Sequence, residues 1–268
     1  MHNYLLQGAA IMEKPITKSS YLAGLFIIFF AAYAQYFVAD VSPVGNVLLV
    51  YGVPIFTISW ISGKAINRHA FQNNLTALKY GLSSFGVFSL AGSLAATGIF
   101  YILSAIDPAA LNLMHRANPV LHVPPDLAWI MVTASFLMIG PAEEYIFRGF
   151  VFGGLLRIYK NRHWLFFAFI SSALFAGAHL YYLVIYGTAS LVLFAEIVAI
   201  GMAMAVTYYY SGGNLLVPAM LHGAFDAAGF IASDISPELG IALRQLMIWT
   251  GILVAFGFFV RRKRRQVY

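Results

Sequence analysis

Long apolar runs recur along this chain and constrain its fold more than any other feature. The first, Tyr21 to Ala39, approaches the roughly 20 residues that a helix needs to cross the hydrocarbon core of a bilayer. The chain is 61% hydrophobic and 10% charged, with a mean hydropathy of +0.79. A water-soluble domain of this composition would expose a large apolar surface. We therefore predict an all-α, polytopic integral membrane protein.

Eight such runs predict about eight transmembrane helices, which form a single integral-membrane domain over residues 1–268. The fourth run is longer than a span requires, so we expect it to be tilted, kinked at Pro141 or extended beyond the membrane. The predicted spans are Tyr21–Ala39, Val44–Ile61, Tyr80–Ile106, Leu127–Ile158, Trp164–Tyr182, Ser190–Tyr209, Asn214–Ala232 and Ile241–Val260.

The charged loops predict the orientation of the bundle. Most Lys and Arg residues, including Lys64, Arg68 and the run Arg261–Arg265, fall in loops that share one side when the N-terminus is placed in the cytoplasm. The opposite side holds Arg116 and, at a helix start, Arg244. Both termini are therefore predicted to be cytoplasmic, in the cell membrane if the source is prokaryotic. Topology and anionic headgroups also account for the net charge of +6, so no nucleic-acid partner is expected. The absence of Cys excludes a thiol nucleophile and a Cys-ligated metal.

A short set of ionisable residues lies inside the apolar runs, where each is costly unless it is paired or faces a wet cavity. Glu144 and Arg148 are spaced i,i+4, so they share one helical face, whereas Glu143 points about 100° away from Glu144. We predict that Glu144 and Arg148 form a structural clamp and that Glu143 is the chemical residue; the reverse assignment of the two acids is the alternative. The set comprises Glu143, Glu144, Arg148, His179, Glu196, His222 and Asp226.

Glu196 differs from the other members of this set because no motif surrounds it. We expect it to have a structural partner, such as Arg148 or Arg244, rather than a chemical role.

Three separate helices bring the remaining groups to a similar depth. At a helical rise of about 1.5 Å per residue, Glu143 and His179 lie roughly 20 and 22 Å above the cytoplasmic ends of their helices, and His222 and Asp226 roughly 12 and 18 Å above theirs. Glu143, His179 and His222 can hold a divalent metal such as Zn²⁺ with an open position for water. Alternatively, Glu143 acts as a general base on water without a metal, and the His and Asp side chains stabilise an oxyanion. Both chemistries end in hydrolysis.

Three motifs in this region resemble those of a known family. The segment from Glu143 to Arg148 resembles EExxxR, the segment Phe175–His179 resembles FxxxH, and the segment from His222 to Asp226 resembles Hxxx(N/D). These are the motifs of the CPBP family, the CAAX-protease and bacteriocin-processing (Abi or Rce1-type) intramembrane proteases. The resemblance covers residues 126–230, which it implies to be the catalytic core. It also implies an eight-helix fold, an active-site cavity inside the membrane and endopeptidase activity.

Carried over by position, the resemblance implies roles for individual residues. The family often has Asn at the last motif position, and an ionised Asp226 cannot donate a hydrogen bond to an oxyanion. Asp226 would have to be protonated, orient His222 or bind a metal. The family has been described both as metalloprotease and as glutamate protease, so the metal question stays open. The implied water-activating residues are Glu143 and His179, the residues facing the substrate carbonyl are His222 and Asp226, and the supporting residues are Glu144, Arg148 and Phe175.

The implied partner is a peptide or lipidated protein that enters from the membrane, with membrane lipids around the bundle. Relatives process prenylated CAAX proteins or mature peptides. Two alternatives remain: a catalytically silent membrane scaffold or immunity protein, and a proton-coupled transporter. The transporter predicts internal repeats with discontinuous helices, and the sequence shows no such repeat. The oligomeric state stays open.

Overall fold

A computed structural model describes residues 16–38, 43–62, 75–115, 128–159 and 162–266. Within these ranges the chain is helical and contains no strand, as predicted. Short helical turns, Pro108–Leu111, Asn112–His115, Tyr182–Tyr186 and Gly187–Ala189, lie between the longer helices. The longer helices are α1 (Lys18–Val38), α2 (residues 43–62), α3 (Leu75–Ile106), α4 (Ala128–Ile158), α5 (Trp164–Ala178), α6 (Ser190–Tyr210), α7 (Leu216–Asp234) and α8 (Pro237–Gln266).

Five of the described helices are long and apolar enough to cross a membrane, and they involve α3, α4, α6, α7 and α8. Shorter apolar helices cover Lys18–Ala34, Gly45–Ile61 and Trp164–Ala178. The number of eight spans therefore stays a prediction. Of the charged residues that predicted the topology, Lys64, Arg68 and Arg116 lie outside the described residues.

The fifth predicted span is wrong at its end. It was expected to run to Tyr182, but α5 ends at Ala178 and His179 caps it with φ −99° and ψ 11°. The amide of His179 bonds to the carbonyl of Ala176, only three residues back, and the chain then turns. His179 consequently stands at the end of a helix instead of within one.

Two prolines set the shape of the helices that build the site. In α2 the turn Leu48–Gly52 is π-helical, and Val53 N–H closes it onto the carbonyl of Leu48 just before Pro54. In α4 the turn Ser135–Ile139 is π-helical, and Gly140 N–H closes it onto the carbonyl of Ser135 just before Pro141. Proline lacks an N–H and its ring clashes with the carbonyl four residues back, so a wider turn immediately before it relieves the clash.

The second half of α4 contains a further π-helical segment, Tyr145–Phe152, which is buried throughout. Its Phe147, Phe150 and Phe152 form the largest apolar core together with residues of α1 and α5, such as Tyr21 and Phe167. This packing holds α4 in the interior, so that its polar residues face other helices and not lipid.

Helix α7 packs against α4 on one side and against α8 and α3 on the other. A Cβ atom on Gly223 of α7 would lie 2.5 Å from the carbonyl oxygen of Ser135, and one on Gly140 would lie 2.5 Å from that of Ala219. The two helices therefore touch backbone to backbone, which small residues permit in membrane bundles. This contact brings His222 of α7 next to Glu143 and Glu144 of α4.

The outer surface carries large exposed apolar side chains, including Phe26, Trp60, Leu94 and Leu253. Such a surface fits contact with lipid tails, since a soluble monomer rarely exposes a continuous apolar surface of this extent.

Candidate active site

The centre of the bundle holds a buried ion pair. Glu144 and Arg148 are fully buried, and Arg148 Nη1 lies 3.0 Å from Glu144 Oε1, at the spacing expected of a clamp. Arg148 Nη2 also donates to the carbonyl of Gly201 on α6, 3.1 Å away. The Arg148 guanidinium carbon lies 4.8 Å from the centre of the Phe175 ring. Arg148 thus links α4 to α5 and α6, and its charge is balanced within the protein.

His222 joins the clamp to the other two acids. Its Nδ1 lies 2.7 Å from Glu144 Oε1. Its Nε2 lies 3.4 Å from Glu143 Oε2 and 3.6 Å from Asp226 Oδ2, distances that suit ion pairs better than short hydrogen bonds. Both ring nitrogens therefore face carboxylate oxygens, an arrangement that the doubly protonated imidazolium satisfies on both sides.

Charge and exposure separate the three acids. The carboxylates of Glu143, Glu144 and Asp226 face two basic groups, Arg148 and His222, so a protonated His222 leaves one net negative charge. The side chain of Glu144 is 0% exposed, whereas those of Glu143 and Asp226 are 14% and 24% exposed. Glu143 and Asp226 are therefore accessible to solvent, and Glu144 is not.

Tyr51 of α2 completes the surroundings of Glu143. Its phenol donates to Glu143 Oε1 over 3.1 Å. Sequence reasoning missed this residue because a tyrosine in an apolar run matches no motif. The available signal was Pro54 in the middle of the run, since a proline there disturbs the register of the helix and redirects nearby side chains.

His179 stands apart from this cluster. Its Nδ1 is hydrogen-bonded to the Phe175 carbonyl at 2.9 Å, and its ring packs edge-on against the Phe175 ring at 4.9 Å. The Phe175 ring also contacts the ring of His222, which lies 5.5 Å away and is also edge-on. Within the described part of the chain, His179 makes no hydrogen bond to Glu143. Phe175 therefore contacts both imidazoles.

The predicted metal set, Glu143, His179 and His222, is not assembled as a binding site. In the described ranges, no group of three or more His, Cys, Asp or Glu side chains is arranged to hold a metal ion. The contact from His222 Nδ1 to Glu144 is found at metal-bound imidazoles and at catalytic ones alike, so it favours neither chemistry. Metal binding therefore stays a prediction.

Glu196 lies in a different place. It lines a cavity of ≈ 210 Å³ with Arg244 and Ser89, bounded by α3, α6, α7 and α8. The guanidinium of Arg244 stacks on Phe225, 4.4 Å from the ring centre. Among the described residues no salt bridge joins Glu196 to either expected partner. Arg148 pairs with Glu144, whereas Arg244 lines the same cavity as Glu196 and interacts with it electrostatically.

One segment of the chain is similar to a known protein family. Residues 125–228 match the family model described as type II CAAX prenyl endopeptidase Rce1-like. The similarity to the Rce1-like family covers this segment, which is less than half of the chain. No curated protein and no solved structure matches the chain.

The Rce1-like match contains every residue of the three motifs, from Glu143 to Asp226, together with the clamp. Tyr51 and Arg244 lie outside it. The match supports an intramembrane protease of the CAAX type in general, in an integral membrane protein built from apolar helices.

Proposed function

We propose that this chain is an intramembrane endopeptidase that hydrolyses a peptide bond with a water molecule activated by Glu143. One observation carries the proposal: Glu143 and Asp226, the two acids that water can reach, both face Nε2 of a single buried imidazole, His222. Charged groups are costly inside a membrane, so three acids, an arginine and a histidine in one cluster are expected to serve chemistry.

The residues of the site have the following roles in this proposal. Glu143 Oε2 accepts a proton from water while the water oxygen bonds to the carbonyl carbon, and negative charge develops on the carbonyl oxygen. His222 Nε2–H is the donor for that oxygen. The proton on Glu143 then passes to the amide nitrogen as the carbon–nitrogen bond breaks, which restores the carboxylate. His179, held by Phe175, is assigned to orienting the water.

Asp226 takes a role in this scheme that does not require it to donate a hydrogen bond. Its carboxylate lies 3.6 Å from His222 Nε2, so it favours the protonated imidazole that faces the oxyanion. Glu144 holds the opposite nitrogen at 2.7 Å and fixes the orientation of the ring. The clamp with Arg148 keeps Glu144 in place.

The proposed substrate is a C-terminal CAAX-type segment of a prenylated protein, as in the family description, or a peptide that is matured in the membrane. The apolar surface between the helices fits lateral entry of a lipidated chain from the bilayer.

The deciding experiment compares purified wild-type protein with Glu143→Ala on a prenylated CAAX peptide, with the unprenylated peptide alongside. We expect Glu143→Ala to lose cleavage, since it removes the base, and to keep its thermal unfolding temperature within a few degrees. Glu196→Ala is the matched control, because it removes another intramembrane acid that lies outside the site. Full activity in Glu143→Ala would falsify the assignment.

Quantifying metal in the same preparations separates the two chemistries. Stoichiometric metal in the wild type that disappears in Glu143→Ala would favour the metal-bound water. Cleavage by protein that contains no metal would favour Glu143 as a direct base. Rescue of a knockout phenotype by Glu143→Ala would instead favour the scaffold alternative.

A further inference from the structure

The carboxylate of Glu143 has a different neighbour on each oxygen. Oε1 accepts a hydrogen bond from the Tyr51 phenol at 3.1 Å, and Oε2 faces His222 Nε2 at 3.4 Å. A carboxylate held on one oxygen by a donor from a separate helix cannot turn freely about its side-chain torsions. The contact therefore selects which oxygen meets the water.

Tyr51 reaches the site because of the local structure of α2. It lies within the π-helical turn Leu48–Gly52, which closes directly before the buried Pro54. Turns of this kind recur at functional sites, because one extra residue redirects the side chains of the turn. Tyr51 also interacts electrostatically with Asp226 and Tyr182, so its phenol lies close to the second partly exposed acid of the cluster.

A phenol is well suited to hold a general base. It donates one hydrogen bond and stays uncharged, so it orients the carboxylate without neutralising it, as Lys or Arg at the same place would do. Arg148, the nearest permanent cation of the clamp, binds Glu144 and not Glu143. Glu143 is thus held by a neutral donor, whereas Glu144 is held by a cation.

We propose that Tyr51, which lies outside the segment shared with the Rce1-like family, is a positioning residue that holds Oε1 of Glu143 so that Oε2 takes the proton from water. The inference rests on the proposed protease function for its kinetic consequence. The hydrogen bond itself can be tested without a substrate.

Tyr51→Phe removes one hydroxyl and keeps the ring. On the prenylated CAAX peptide we expect kcat to fall about 10- to 100-fold, as for a catalytic group that loses its alignment. KM should change less than about twofold, since Tyr51 acts on the base and not on substrate binding. Tyr21→Phe is the matched control: its phenol donates to the Val151 carbonyl over 2.9 Å, also against α4, but far from the site. Tyr21→Phe should keep the wild-type kcat.

Infrared difference spectroscopy tests the contact itself. The spectrum of the wild type minus that of Glu143→Gln isolates the carboxylate stretch of Glu143. The spectrum of Tyr51→Phe minus that of the double variant Tyr51→Phe/Glu143→Gln gives the same stretch without the Tyr51 hydrogen bond. We expect the band to shift. If Tyr51→Phe fails to fold, 3-fluorotyrosine at position 51 keeps the ring and changes the strength of the donor, and it should also move the band.

The outcomes are distinct. An unmoved band, or a wild-type kcat in Tyr51→Phe, overturns the positioning role. If the band shifts in Tyr51→Phe but the wild-type protein cleaves neither the prenylated nor the unprenylated peptide, the proposed protease function is refuted and the contact is established.

Discussion

The contact between α4 and α7 predicts a large effect from the smallest possible substitution. Gly223 follows His222, and a Cβ atom on Gly223 would lie 2.5 Å from the Ser135 carbonyl oxygen and 3.0 Å from Phe136 Cα. Both are backbone atoms, so no side chain can rotate away. Ser135 is also held by its own helix, because its carbonyl accepts the amide of Gly140. In Gly223→Ala the helices themselves must therefore move apart.

The size of that movement follows from ordinary contact distances. Raising 2.5 Å to a normal carbon–oxygen separation moves α7 by about 1 Å away from α4. The gap of 3.4 Å between His222 Nε2 and Glu143 Oε2 then exceeds 4 Å, the limit for an ion pair, by a small margin. A displacement of about 1 Å costs on the order of 100-fold in rate, and the overpacking costs about 1–3 kcal/mol of stability.

Two measurements check the reasoning: kcat/KM on the prenylated peptide and the free energy of unfolding in detergent. Gly98→Ala in α3 is the control, since a Cβ at Gly98 meets nothing within 4 Å. The same methyl group should leave activity unchanged there and raise helix stability by up to about 1 kcal/mol. Gly223→Ala with wild-type activity and wild-type stability would refute the idea that backbone contact aligns the site.

Two further predictions concern the clamp and the topology. Arg148→Met should lower the free energy of unfolding by about 3–5 kcal/mol, because it leaves the Glu144 charge buried without its permanent cation, and adding Glu144→Gln should recover most of that loss; equal stability of Arg148→Met and wild type would contradict the clamp. For the topology, the chain has no native cysteine, so single cysteines report directly. With both termini in the cytoplasm, a membrane-impermeant maleimide should label Glu238→Cys in intact cells and Arg162→Cys only after permeabilisation, and the opposite pattern would reverse the orientation.

Spacing along a helix was sufficient to predict part of the site. Residues four apart share a face whenever the helix is continuous, so Glu144 was expected beside Arg148, and the same spacing relates His222 to Asp226. Both contacts are present, at 3.0 and 3.6 Å. The all-α architecture followed in the same way from the length of the apolar runs.

Contacts between helices could not be derived from spacing. The bond from Glu144 to His222 depends on α4 and α7 being neighbours at Gly140 and Gly223, and several residues of each helix could have occupied that contact. The contact of Tyr51 with Glu143 depends in addition on a π-helical turn. In such a turn the helical period of 3.6 residues no longer predicts which face of the helix a residue occupies. His179 was placed inside a helix because apolar residues continue past it to Tyr182, and composition does not mark where the helix ends.

The π-helical turn before Pro141 interrupts the regular rotation of side chains along α4. The directions in which side chains point before and after this turn are therefore set separately. Residues 128–134 set how the first part of the helix meets its surroundings, and the segment Gly140–Glu144 sets where the carboxylates point. One additional residue in the turn rotates the two parts by about 100° relative to each other. The face that residues 128–134 present is therefore set separately from the direction of Glu143, although both parts of α4 pack against α7.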